Sequence, residues 1–391
     1  MFRFLICLGF TLLGALVTSS SAAQDNAAQE ATVPQNATAA NADAGIAWDQ
    51  STLRLVQAGA TYGRMVRLRD KGILCAFDRG GQTMVKASAD EGKTWREAVL
   101  VARIEGAIAT NPELLALQNG RVLLFFNRRP HTPGMRFAIE MRWSDDKGTT
   151  WQAPARPIYE AGSDGGVGCW EPAALQLPNG EIQLFFANEA PFPNNNDQEI
   201  SLQRSFNNGA TWSAPQTVSY RAGHRDGMPV PLLLQNRDIA LAIEDSGVTS
   251  DGQMKPVIAR TSLLEGWRGA FVDARSPRRD VAVGAPWPGE HTYAGAPYLR
   301  QMANGATVLS SQVNVVGKGQ SQMWVWVGDS AARNFARPSQ PFARAGAAAQ
   351  VWNALFVKNA ATITAIGETE IDGQRGLWSI DGHLRAPNTA P

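Results

Sequence analysis

Two octapeptides in this chain obey one rule. SADEGKTW (88–95) and SDDKGTTW (144–151) both read Ser-x-Asp-x-Gly-x-Thr-Trp, and SFNNGATW (205–212) differs by placing Asn207 where Asp stands. A short Asp or Asn side chain accepts hydrogen bonds from turn amides, and Gly supplies positive φ. The Trp is expected to fold back over the neighbouring apolar layer. A turn that recurs at intervals of this length marks a repeated supersecondary unit. Asp90 and Asp146 are therefore read as structural, not catalytic.

A second repeat runs in phase with the first. MVRLRDKGILCAF, LLALQNGRVLLFF, AALQLPNGEIQLFF, VPLLLQNRDIALAI, YLRQMANGATVLSS and ALFVKNAATITAI each place a turn between two apolar runs. Asn-Gly between such runs is a strong hairpin signal. The six turns fall near residues 71, 119, 179, 236, 304 and 359, and a Ser follows each: Ser88, Ser144, Ser205, Ser262, Ser330 and Ser379. Six units of about four short strands, without helical periodicity, predict an all-β, six-bladed β-propeller of four-stranded antiparallel blades. STLRLV (51–56) precedes the first hairpin and has no sheet of its own. It is expected to close the ring as the outermost strand of the blade built by residues 350–386.

The chain's ends bound its cellular setting. Arg3 precedes an apolar run from Phe4 to Val17, then TSSSAAQ. This reads as a signal peptide over 1–23, cleaved near Ala22 or Ala23. Residues 24–46 hold almost no large apolar side chain and read as a disordered leader, with the propeller over 47–391. A secreted or periplasmic protein is expected, with no membrane span after cleavage, and a monomer. The 36 basic and 35 acidic residues nearly cancel, giving no support for a nucleic-acid partner. Beyond the signal only Cys75 and Cys169 remain, and the four His lack metal-ligand spacing. No cofactor and no metal are expected.

The register of the repeat locates a site. With strands A to D counted outward from the axis, both turn types lie on one face of the disc. The start of strand A and the end of strand B therefore lie at the opposite mouth. Aligning the six turns places Gly63, Asn111, Glu171, Met228, Ala296 and Val351 at the start of strand A. Pro112, Pro172, Pro229 and Pro297 follow in four blades, where a missing N–H is tolerated. The matching ends of strand B are Arg79, Asn127, Ala187, Glu244, Gln312 and Gly367. Each set holds one carboxylate, Glu171 and Glu244, on adjacent blades. Two facing acids are the minimum apparatus for glycoside hydrolysis. Glu189, Asp245 and Glu290 are further mouth-side acids.

The Ser-x-Asp-x-Gly-x-Thr-Trp turns resemble the Asp boxes, or BNR repeats, of the sialidase superfamily of six-bladed propellers. Within it, CWEPAALQLPNGEIQLFFANE, RDGMPVPLLLQNRDIALAIED and GAPYLRQMANGATVLSSQ look like glycoside hydrolase family 93, exo-acting α-L-arabinanases that release arabinobiose with retention. The resemblance covers about residues 48–370. It implies Glu171 as nucleophile, held ionised by Arg64 or Arg225, and Glu244 as general acid/base, its proton affinity raised with help from Asp245. It implies an oligosaccharide or polysaccharide substrate.

Arg64, Asn111, Trp170, His224, Arg225, Asp245, Tyr293 and Gln312 are the expected substrate contacts. Sialidases proper need three arginines, for which Arg64, Arg225 and Arg300 are candidates. They also need a Tyr nucleophile from the last blade, where this chain has Val351 and Trp352. A non-catalytic glycan- or protein-binding propeller is the third reading.

Overall fold

The computed structural model describes residues 45–162, 167–284, 287, 291–315 and 317–385. The expected signal peptide, nearly all of the leader, and Glu290 lie outside the described residues. Six four-stranded sheets, each antiparallel throughout, make up the chain. This is the six-bladed propeller that the repeats predict. Thr61–Arg67, Ile73–Arg79, Gln82–Ser88 and Val99–Ala102 build blade 1. The innermost strands of blades 2 to 5 are Ala107–Ala116, Cys169–Gln176, Asp226–Leu233 and Thr292–Gln301. Blade 6 runs Val351–Val357, Thr362–Ile371, Gln374–Leu384, and its fourth strand is Ile46–Ala58 from the other end of the chain. Ile46 pairs with Leu384 and Ala58 with Gly376, so the ring closes through the N-terminal strand as expected.

Side-chain chemistry sets the hairpins. In the turns at 119, 179 and 304 the Asn Oδ1 accepts the N–H two residues on, at 3.0–3.1 Å. Gly120, Gly180 and Gly305 take φ near 90°. In blade 4 Arg237 takes that place at φ 70° without being Gly, and Asn236 still accepts from Asp238 N–H. The outer turns are equally local. Asp90 Oδ1 accepts from the Ser88 hydroxyl and the Thr94 amide, and Asp146 and Asn207 repeat the pattern. The Trp151 and Trp212 indoles donate to the Gly148 and Gly209 carbonyls, folding each ring back over its turn.

The second strand of each blade explains the continuous apolar runs. Ile73–Asp78, Val122–Asn127 and Ile182–Asn188 are buried at every residue. Such strands are covered on both faces by the neighbouring blades, so alternation disappears. Cys75 and Cys169 are buried free thiols in separate blades. No described helix is long and apolar enough to cross a membrane.

Candidate active site

The innermost strand of every blade breaks register once, at one equivalent point. The breaks fall at Thr61/Arg64, Thr110/Glu113, Trp170/Ala173, Gly227/Val230, Gly295/Tyr298 and Val351/Ala354. Within each bulge one non-glycine residue has positive φ: Tyr62, Asn111, Glu171, Met228, Ala296 and Trp352, at 46–55°. Bulges re-aim side chains, and left-handed residues other than Gly store strain, both of which concentrate at functional sites. The sequence alignment is thus right in four blades and one residue off in blades 1 and 6. There Tyr62 and Trp352, not Gly63 and Val351, occupy the ring. Those two blades lack the Pro that marks the others, so the alignment had no anchor.

The same correction applies at the ends of strand B. Asp78, Asn127, Ala187, Glu244, Gln312 and Glu368 lie opposite the residue before each bulge. This tier carries three carboxylates, not one. Asp78 is 7% exposed and accepts from Gly81 N–H, and Glu368 is tied to Arg375. Their counterpart Glu244 has different neighbours.

Glu171 is fixed through its backbone. Its N–H donates to Asn127 Oδ1 at 2.8 Å, and Asn127 Nδ2 donates back to the Cys169 carbonyl at 2.7 Å. Asn127 thus clips both sides of Trp170. The Glu171 carboxyl, half-buried, meets Arg129 Nη2 at 3.4 Å. Loss of water pushes its pKa up to about 7; Arg129 and Arg225 oppose this, whereas Glu244 and Glu189 add to it. Arg129 also lies 4.8 Å over the Trp170 ring, which packs on Phe137 at 4.7 Å.

Glu244 Oε2 accepts the Ala296 N–H at 2.8 Å. Its pKa is raised by burial, against the Ala296 amide, Arg225 and a hydrogen bond from Tyr293. Glu244 raises the proton affinity of Glu171, Arg225 lowers that of both glutamates, both raise that of Tyr293, and the two come from adjacent blades. Arg225 is held by Glu189 and Gln198, each at 2.5 Å, and by the Asn196 carbonyl.

Several expected contacts have other work. Arg64 is 2% exposed, pairs with Glu113 at 3.3 Å, and lies over the Tyr62 and Tyr298 rings. It belongs to the buried axis, and Arg129, not Arg64, is the cation beside Glu171. Asp245 is fully buried on Arg279 and Arg221. Successive strand residues point to opposite faces, so Asp245 turns away from Glu244 and is absent from its neighbours. Gln312 Oε1 accepts Trp352 N–H, the same interblade tie that Asn127 and Glu244 make. Asn111 is 3% exposed, pairs with the Tyr62 hydroxyl and leaves Oδ1 without a partner. His224 is half-buried beside Arg221 where Gly247 leaves room. Trp170, Arg225 and Tyr293 stand with the two glutamates.

Residues missed by sequence reasoning include Gln198, which sets Arg225, and the interblade role of Asn127. Only the second had a signal, its place in the aligned strand-B set. Among the described residues no His, Cys, Asp and Glu cluster is arranged to hold a metal.

No protein-family model and no curated protein matches the chain. Solved structures do. A protein of unknown function from Dyadobacter fermentans superposes at TM-score 0.64 with 14% identity, covering 85% of this chain and 100% of its own. The GH93 α-L-arabinofuranosidase of Fusarium graminearum, complexed with arabinobiose, gives 0.61 at 18%, covering 83% and 93%. The NanB sialidase of Streptococcus pneumoniae gives 0.59 at 12%, covering 87% and 70%. The fold is the six-bladed propeller that these structures share. At these identities the likeness is one of fold, and what this propeller does must be argued from its own side chains.

Proposed function

We propose that the chain is an exported, retaining, exo-acting glycoside hydrolase of α-linked arabinan-type oligosaccharides. The export reading is supported by the signal-peptide pattern of residues 1–23. The reading is supported chiefly by one arrangement: half-buried Glu171 and Glu244, from adjacent blades, lie near enough for Glu244 to raise the proton affinity of Glu171 and for Arg225 to lower that of both. Glu171 Oε attacks the anomeric carbon while Glu244 gives its proton to the leaving oxygen. The C–O bond breaks, and a glycosyl ester on Glu171 forms. Water then attacks that ester, Glu244 takes the water proton, and Glu171 is released. One proton on the pair is the working state. Coupled acids lose protons as a pair, and in the reactive arrangement the remaining proton sits on Glu244.

Trp170, backed by Phe137 and Arg129, offers an apolar face for the sugar ring. The sialidase reading needs three arginines turned to one substrate carboxylate. Arg64 and Arg300 instead converge on Tyr298, with Arg300 Nη2 2.7 Å from its hydroxyl. The test is a panel of nitrophenyl arabinobioside, linear arabinan and sialyllactose. Cleavage of the first two, lost by 100-fold or more in Glu171→Ala and Glu244→Ala, is the expected result. Cleavage of sialyllactose alone, or equal rates in wild type and variants, defeats the assignment.

A further inference from the structure

Glu244, one residue from the end of its strand, lies between two glycines. A Cβ built on Gly295 would stand 2.4 Å from Glu244 Oε2 and 2.2 Å from the Tyr293 hydroxyl. One built on Gly227 would stand 2.9 Å from Glu244 Oε1. The two oxygens therefore have different surroundings. Oε2 receives the Ala296 N–H at 2.8 Å and shares the hollow over Gly295 with the Tyr293 hydroxyl, a donor facing this carboxylate. Oε1 lies over the Gly227 α-carbon, next to a Gln198 amide already committed to the Asp226 carbonyl at 2.7 Å.

We propose that Tyr293 is a positioning residue: with the Ala296 amide it engages Oε2 of Glu244 and leaves Oε1 as the oxygen that gives and takes the proton. This rests on the reading of Glu244 as acid/base. In the first half-reaction the Oε1–H bond breaks as the leaving oxygen gains the proton. In the second the attacking water returns a proton to Oε1. An acid whose two oxygens were equivalent would place its proton on the wrong one for part of the time. Gly295 is part of the device, since a side chain there displaces both groups. The displaced atoms are the far ends of flexible side chains, so Gly295→Ala is expected to fold.

The charged and titratable groups facing Glu244 are Arg225 from the loop before blade 4, Glu171 from blade 3 and Tyr293 from blade 5. Tyr293 is the neutral donor among them. Removing a donor to a carboxylate disfavours the ionised form. Tyr293→Phe should therefore move the alkaline limb of kcat/KM for nitrophenyl arabinobioside upward by about one pH unit. It should lower kcat at least tenfold with KM nearly unchanged, and Gly295→Ala should do the same. A uniform loss of rate with the limb in place means a merely structural tyrosine and overturns the proposal.

A second measurement stands apart from turnover. In protein carrying 13C-labelled glutamate side chains, with Glu244→Gln for assignment, the Glu244 carboxyl should titrate higher in Tyr293→Phe than in wild type. An unmoved midpoint overturns the proposal. A moved midpoint in a protein that cleaves none of the glycosides supports the tie between Tyr293 and Glu244 and places the failure on the hydrolase reading.

Discussion

Asn127 of blade 2 holds Glu171 of blade 3 by its backbone, accepting the Glu171 N–H at 2.8 Å while donating to the Cys169 carbonyl at 2.7 Å. The side chain is fully buried, so neither bond is replaced by water when it is removed. Asn127→Ala should cost about 2–4 kcal/mol, the sum of two buried backbone groups left unpaired. It should also mis-aim a carboxyl whose backbone is strained at φ 46°. Denaturant unfolding measures the first effect. The second is expected as a fall in kcat larger than the rise in KM.

Ionised Glu171 weakens the fold. Burial, with help from Glu244 and Glu189, lifts its pKa from the ordinary 4.5 to about 7, against Arg129 and Arg225. Below pH 4.5 the group is neutral in both folded and unfolded chains and carries no penalty. As pH rises toward 7 the unfolded chain ionises first, so stability falls, and it levels off above the folded pKa. Glu171→Gln should therefore be more stable than wild type at pH 8, by about 2–3 kcal/mol, and equal to it near pH 4. Thermal melts at the two pH values check this; a gain confined to low pH would contradict it.

The activity should follow the pair. With one proton on the pair as the working state, kcat/KM is expected to fall on the alkaline side as Glu244, whose proton affinity burial raises, gives up that proton. A pH–rate profile on nitrophenyl arabinobioside measures the limb. A rate still climbing at pH 9 would mean that no protonated carboxyl is used.

Asp245 and Arg64 should behave as parts of the scaffold. Arg279 bonds both Asp226 and Asp245 at 2.5 Å, and all three are nearly sealed from solvent. Arg279→Met leaves buried Asp226 without its cation and Asp245 with Arg221 alone, and should cost about 3–5 kcal/mol, as should Arg64→Met, which leaves buried Glu113 with the Tyr298 hydroxyl. Urea titrations would register both. Neither variant, at a temperature where it is folded, should change KM as a lost sugar contact would.

The repeats made the fold legible because they are local chemistry. Asn-Gly hairpins and Ser-x-Asp turns need only neighbouring residues, and the buried second strands announce themselves as unbroken apolar runs. Ring closure was legible because STLRLV had nowhere else to pair. The site was legible where a proline fixed the register, hence Glu171 and Glu244. It was not legible in blades 1 and 6, where the alignment slipped past Tyr62, Asp78, Trp352 and Glu368. Face was the other failure. Asp245 and Arg64 lie one or two residues from the ring, but strand alternation and the interior of the axis send them into buried ion pairs that spacing alone does not reveal.

The central claim is that Glu171 forms a bond to the sugar while Glu244 moves the proton. Covalent trapping tests it most directly. The protein is incubated with an arabinofuranose-configured epoxide, digested, and mapped by peptide mass spectrometry. One adduct is expected, on the Glu171 carboxylate, lost in Glu171→Gln. An adduct on Glu244, Tyr62 or Tyr293 in the wild-type protein would contradict it.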